Sequence, residues 1–291
     1  ILPKLADELG LGRGVIVVSG THDQCAAALG SGARTPNTVM LGLGTFACAV
    51  LVHRETAADS VYRELGLGIE AHAVAGQQVS FIFHGSGGAL LKWLHDQFFR
   101  DLQGPDAYAR MFEEIAPASR CPDVLPYFAA SGPLDCAEGE QGAICGLSLA
   151  HTRGDILKGA LEGIVLYFKE AFNALAERGC KIERIHASGG GAESPLWLQM
   201  IADILQTPVV KPRNKECGAL GAALLAGAGL GRFDLGRGGG ESMIVFEREY
   251  WPASERGPAH DAALSRSLRI KNALSIGNTN HPIARMEPSC T

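Results

Sequence analysis

Asp23 follows the β-branched run Val15 to Ser19 and the turn Gly20-Thr21-His22, and it stands at the head of the small-residue run Gln24 to Ala33. A carboxylate where a strand gives way to a helix is exposed, and the helix dipole favours its ionised form, so it is poised to accept a proton. The same position also suits an N-cap, which leaves a purely structural reading of Asp23 open. Three glycine clusters, at 42 to 44, 85 to 88 and 189 to 191, each fall where an apolar strand-like run ends. Backbone N–H groups at such turns, and at helix N-termini, form nests for phosphate oxygens. One glycine turn alone means little, whereas three in succession point to a nucleotide. Lys92, on the helix after Gly88, is either a solvated lysine or a phosphate contact.

Other chemistries find less support. The chain has no G-x-x-x-x-G-K-[ST] phosphate loop, and Gly189-Gly190-Gly191 fails the dinucleotide pattern because Ser194 stands where its last glycine is required. A nicotinamide dehydrogenase is therefore disfavoured. Cys25 near His22 is a weak nucleophile candidate without an evident oxyanion partner. The nine histidines show no H-E-x-x-H or paired spacing, so no metal ligands are expected from the chain. Asp96, within an amphipathic pattern, reads as a solvated surface residue.

The elements that must position these residues follow from periodicity. Residues 15 to 19 read as a buried strand, 39 to 45 and 46 to 52 as a hairpin with a glycine-rich tip, and 67 to 75 and 78 to 83 as further strands. Apolar spacing predicts helices after Gly88, over 105 to 116, over 155 to 175, from Ser194 to Gln206 and from Glu216 to Ala228. Residues 181 to 188 form another strand, 117 to 142 a long irregular excursion. Past residue 236 the rhythm is lost: GRGGGES reads as a linker, and only 260 to 271 shows a weak helical signal. The alternation defines an α/β fold with a mixed sheet flanked by helices.

Composition agrees. With 46% hydrophobic and 20% charged residues among 291, the chain can build a real core, and its 37 glycines lack the triplet period of collagen. A net charge of −5, from 26 basic and 31 acidic residues mixed along the chain, gives no footprint for nucleic acid or an anionic membrane. Eight cysteines standing singly fit a reducing cytoplasm. No signal peptide or membrane-length apolar run is read. The first residue is Ile, so a longer parent is expected.

Several motifs then fall in one order: Gly20-Thr-His-Asp23-Gln24, Leu43-Gly44-Thr45, Gly87-Gly88-x-x-x-Lys92-Trp93-Leu94, Gly146-Leu147-Ser148 with Ala160-Leu-Glu162-Gly163, Ser188-Gly-Gly190-Gly-Ala-x-Ser194-Pro-Leu-Trp-x-Gln199-x-x-Ala-Asp203, and Glu216-x-x-Ala-Leu-Gly-Ala-Ala223. Over residues 1 to 235 this order resembles the FGGY carbohydrate kinases, most of all their xylulokinase-like branch. The resemblance implies an actin-like ATPase fold of the ribonuclease-H-like type. It divides the chain into the end of a sugar-binding domain (1–33), an ATP-binding domain (34–235) and a tail (236–291). It makes Asp23 the general base, with His22, Asp23 and Gln24 at the sugar. Gly44 and Thr45 would meet the phosphates, Gly88 and Lys92 the ribose or phosphates, and Gly189, Gly190, Gly191 and Ser194 the adenosine.

The implied ligands are ATP, Mg2+ and a sugar, for instance a ketopentose such as xylulose, in a cytoplasmic enzyme that a homodimer would suit. Two departures stand out. Leu125-Pro-Tyr-Phe-Ala-Ala-Ser-Gly132-Pro replaces the family's Gly-Glu-Arg-x-Pro after Leu-Pro-Tyr, which leaves the sugar open. The family's opening Asp-x-Gly-Thr hairpin and most of its first domain are not in this chain, so the 291 residues alone should turn over poorly. The competing reading from another class is a non-catalytic actin-like nucleotide-binding module.

Overall fold

The computed structural model describes residues 1–12, 14–54, 59–116, 120–132 and 141–274. Helices α1 (Pro3–Glu8) and α2 (Asp23–Ser31) precede a hairpin of β1 (Thr38–Leu43) and β2 (Ala47–Arg54). A short α3 (Asp59–Glu64) leads to β3 (Ile69–Ala71), β4 (Gln77–His84), α4 (Gly88–Phe98) and α5 (Ala107–Glu113). Short strands β5 (Asp123–Leu125), β6 (Ser131–Gly132) and β7 (Ala143–Cys145) come before the long helix α6 (Arg153–Ala176). Then β8 (Arg184–Ser188), α7 (Pro195–Leu205), β9 (Val209–Pro212) and α8 (Cys217–Gly229) alternate, followed by β10 (Phe246–Tyr250) and α9 (Gly257–Ala273).

The main sheet runs β10-β9-β8-β1-β2-β4-β3, with β6 added on β4, while β5 and β7 pair separately. β1 is parallel to β8, with Gly42 opposite Ser188, and β8 is parallel to β9. The other pairings are antiparallel, so the sheet is mixed.

Alternation along the strands sends side chains to two buried faces. Val39, Leu41, Leu43, Ala49, Leu51 and Ile185 join the core under α4, α6 and α7. Met40, Val50, Val52 and Val79 meet Cys25 and Ala28 of α2 on the opposite face. Burial on both sides is why these strands read as unbroken apolar runs. The start of α6 is fixed by a capping box: Asp155 N–H donates to Thr152 Oγ1 at 3.2 Å, and Thr152 N–H donates to Asp155 Oδ2 at 2.8 Å.

The two helices on the α2 face meet backbone to backbone. A Cβ on Gly30 would lie 2.0 Å from the Cys217 carbonyl oxygen, and one on Gly221 would lie 1.8 Å from that of Ala26. The Gly/Ala composition of α8 thus lets it approach α2 as only glycine permits.

Two sequence expectations fail. Residues 15 to 19 form no strand, and Ile16 and Val17 are 61% and 76% exposed. A β-branched run becomes a strand only where a neighbour takes its hydrogen bonds, and among the described residues none pairs with it. The glycine-rich stretch after residue 235 is not a linker. Gly238 and Gly240 turn with positive φ, and β10 adds to the sheet edge at β9. The buried Arg34 guanidinium ties the stretch down, donating to the carbonyls of Leu235 at 2.8 Å and Gly239 at 3.0 Å. The weak signal at 260 to 271 becomes α9, which buries Ala263 and Leu264 and pairs Asp261 with Lys169 on α6 at 3.0 Å. In the 117 to 142 excursion, β5 and β6 are present; 117–119 and 133–140 lie outside the described residues. Cys136 and Cys290 also lie outside them, and the six described cysteines are free thiols. No described helix is long and apolar enough to cross a membrane.

Candidate functional site

Loops gather at the C-terminal ends of the parallel strands β1 and β8, where an α/β sheet has room for a ligand. The tip of the β1–β2 hairpin, Gly44 to Phe46, stands exposed there and separates two clefts. The smaller, about 670 Å³, is lined by His22, Asp23 and Gln24 from the start of α2, by Gly42, Ser188 and Gly189 at the strand ends, and by Glu70 and three phenylalanines. The larger, about 890 Å³, lies between the starts of α4 and α7 and the side of α5; Gly88, Lys92, Gly190, Gly191 and Ser194 line it. Gly44 and Thr45 line both. The sequence candidates, scattered over 170 residues of chain, are thus brought to the two sides of one hairpin tip.

Asp23 is the first residue of α2, and His22 rather than Asp23 occupies the N-cap position. Asp23 Oδ1 accepts the Gln24 N–H at 2.7 Å and lies 3.4 Å from His22 Nδ1. The carboxylate is 80% exposed, so it is open to a hydroxyl entering the cleft. The His22 ring packs edge-on to Phe81 at 5.7 Å. Cys25 is fully buried behind this wall, and burial, with Glu70 and Asp23 adding to it, pushes its thiol up. Burial and the same aspartate push the Cys48 thiol up to about 12. Burial favours the thiol form of both, and Cys25 is closed off from the cleft, which counts against the cysteine-nucleophile alternative.

The glycines divide by role. The N–H of Gly88 donates to the Gly44 carbonyl at 2.7 Å and that of Ala89 to the Thr45 carbonyl at 3.0 Å. These first amides of α4 hold the hairpin tip. Gly87 and Gly88 allow that contact, since a Cβ on either would come within 2.9 Å of the tip's backbone. Gly189, with φ +87°, and Gly191 are pressed against Leu43 and Trp197 in the same way. A Cβ on Gly190 meets nothing within 4 Å, so this residue is the open edge of the larger cleft.

Ser194 caps α7, its Oγ accepting the Trp197 N–H at 3.3 Å. Lys92 Nζ donates to Asp96 Oδ2 at 2.5 Å, and that carboxylate holds the ammonium above its ordinary range. Asp96, read from sequence as merely solvated, is held below the usual carboxylate range first by Lys92 and then by His95.

Sequence reasoning missed the apolar wall of the larger cleft, Tyr108 and Phe112 on α5, whose helical spacing was the available signal. It also missed Glu70 and Glu193. Against the cost of its partial burial, Lys215 at 2.8 Å and Lys211 at 3.4 Å hold the Glu193 carboxyl below the usual range. Among the described residues no group of three His, Cys, Asp or Glu converges to hold a metal ion.

A mixed sheet flanked by helices, with clefts at the ends of its parallel strands, is the architecture of an actin-like ATPase domain. Residues 40–230 match the model of the FGGY family of carbohydrate kinases, C-terminal domain, and the chain belongs to that family. Curated relatives include xylulose kinase from Staphylococcus epidermidis, 27% identical over 264 residues, covering 88% of this chain and 51% of its own. Glycerol kinase from Clostridium botulinum is 31% identical over 275 residues (91% and 52%), and gluconokinase from Bacillus subtilis is 26% identical over 243 (80% and 46%). The crystal structure of xylulose kinase from Rhodospirillum rubrum superposes with a TM-score of 0.79 at 25% identity, covering 94% of this chain and 55% of that one. The chain spans about half the length of the curated relatives it matches.

Proposed function

We propose that this chain carries the general base and the nucleotide clamp of an ATP-dependent kinase that phosphorylates a sugar hydroxyl, a ketopentose such as xylulose being the favoured acceptor. One observation carries the reading: an exposed carboxylate, Asp23, and an open glycine edge, Gly190, line clefts that share the tip residues Gly44 and Thr45. A sugar held beside Asp23 and a triphosphate reaching over the tip from the larger cleft would meet there. Asp23 would take the proton of the attacking hydroxyl while the tip orients the transferred phosphoryl group. Phosphoryl transfer passes through a loose transition state, so placement and charge neutralisation matter more than base strength.

Tyr108 and Phe112 would face the adenine, and Lys92 would exchange Asp96 for a phosphate. Mg2+ bound with the nucleotide would neutralise phosphate charge; among the described residues no group of three His, Cys, Asp or Glu gathers to hold it. The free thiols fit a cytoplasmic enzyme. Xylulose kinases among the relatives support a ketopentose acceptor.

The test is ADP release by the whole protein with pentuloses, hexuloses, glycerol and gluconate. Asp23→Asn is expected to lower turnover by about 10² to 10⁴ while ATP still binds. Failure on every acceptor, with Asp23→Asn behaving like the parent, refutes the proposal and favours a non-catalytic nucleotide-binding module. The 291 residues alone should fall well below the ~1 to 100 s⁻¹ usual for kinases, because they span about half the length of the relatives they match.

A further inference from the structure

The smaller cleft contains a charge that the proposed proton transfer does not use. Glu70 lies on β3 opposite Val79 of β4, and paired residues share a sheet face, so it points to the side on which Met40, Val79 and α2 pack. It is exposed, and it lines the cleft together with Asp23. Both carboxylates bear on the same buried neighbour, the thiol of Cys25. The described lining contains no lysine or arginine; Phe46, Phe81 and Phe83 supply an apolar wall, and His22 is its one basic side chain. The family relatives differ on this point: xylulose and glycerol are neutral, whereas gluconate is an anion.

We propose that Glu70 determines substrate class, restricting the Asp23 cleft to uncharged polyhydroxy compounds and excluding sugar acids by holding a second fixed negative charge beside the base. This rests on the kinase reading for the identity of the cleft, but its test does not depend on turnover. Within one screening length, about 8 Å, removing a unit charge from a solvent-open cleft changes the relative affinity for an anion roughly threefold to tenfold. Reversing the charge should give about the square of that factor.

The experiment is saturation-transfer NMR of xylulose, glycerol and gluconate on the whole protein without nucleotide, followed by kcat/KM for the same compounds. In the parent, the neutral compounds should give signal and gluconate little. Glu70→Gln should raise the gluconate-to-glycerol ratio threefold to tenfold in both readouts, and Glu70→Lys more, with the gain shrinking in added salt. Glu64→Gln, an exposed charge on α3 that does not line the cleft, should leave the ratio alone. A gluconate signal equal to that of glycerol in the parent, a ratio indifferent to Glu70→Gln, or no binding of any neutral polyol overturns the proposal. Neutral polyols that bind with the expected Glu70 dependence but release no ADP would leave it standing and remove the kinase reading instead.

Discussion

Gly221→Ala tests how Asp23 is held in place. The added methyl would sit 1.8 Å from the backbone oxygen of Ala26, and real Cβ atoms essentially never come within 3.0 Å of another atom. The helices must therefore part by at least about 1.2 Å at that point. The obstructing atom is main chain, three residues into the helix that Asp23 begins, so no side-chain rotation relieves it. Overpacking of this kind costs about 1 to 3 kcal/mol. At ~2 to 4 °C per kcal/mol for a chain of this size, the melting temperature should drop by roughly 2 to 12 °C. Turnover should suffer more, because a reacting group displaced by ~1 Å can lose about 100-fold in rate. Thermal unfolding followed by circular dichroism, beside ADP release measured well below the variant's midpoint, separates the two effects. An unchanged midpoint would mean the crossing yields without cost. A lowered midpoint with parental turnover would show that this contact does not position the proposed base.

Gly190→Ala should do the reverse, since its methyl meets nothing within 4 Å: the unfolding free energy stays within about 0.5 kcal/mol of the parent while ATP affinity by calorimetry falls, and unaltered affinity refutes the assignment of this edge to the nucleotide. Acid should destabilise the fold through two buried imidazoles: burial lowers both His72 and His186 to about 4, so the unfolded state binds their protons first and stability is lost as the pH falls from about 6.5 towards 4. Each ring should contribute about 3 kcal/mol of that loss, and urea midpoints at pH 7, 5.5 and 4 that do not fall faster for the parent than for His186→Asn would contradict it.

Much of the scaffold was legible because local signals agreed with their surroundings. The hairpin around Gly44, the capped helix after Thr152 and the strand ending at Ser188 each carry their own period and their own stop. Residues 15 to 19 carry an equally clear strand period, yet pairing is decided by neighbours and not by the run itself. β10 went unread and α9 left only a weak signal for the opposite reason. Phe246 to Tyr250 is a half-solvated edge with three charged residues, and α9 buries only a short apolar patch around Ala263 and Leu264 beside ion pairs such as Lys271 with Glu170, which leaves a weak period.

Within the site, residue type located the glycines but not their work. Gly87 and Gly88 differ from Gly190 only in what stands a few ångströms away. Glu70 sits on a three-residue strand whose register with β4, and not its own sequence, puts it on the sheet face that lines the smaller cleft.

That Gly44 and Thr45 belong to both clefts has a practical consequence for anyone redesigning this protein. On the proposed kinase reading, a library randomised at the hairpin tip would screen acceptor preference and triphosphate affinity at once, since free energy shared across a common wall acts equally in both directions. Independent tuning has to start from positions that only one chamber sees, such as Phe81 in the smaller and Tyr108 in the larger.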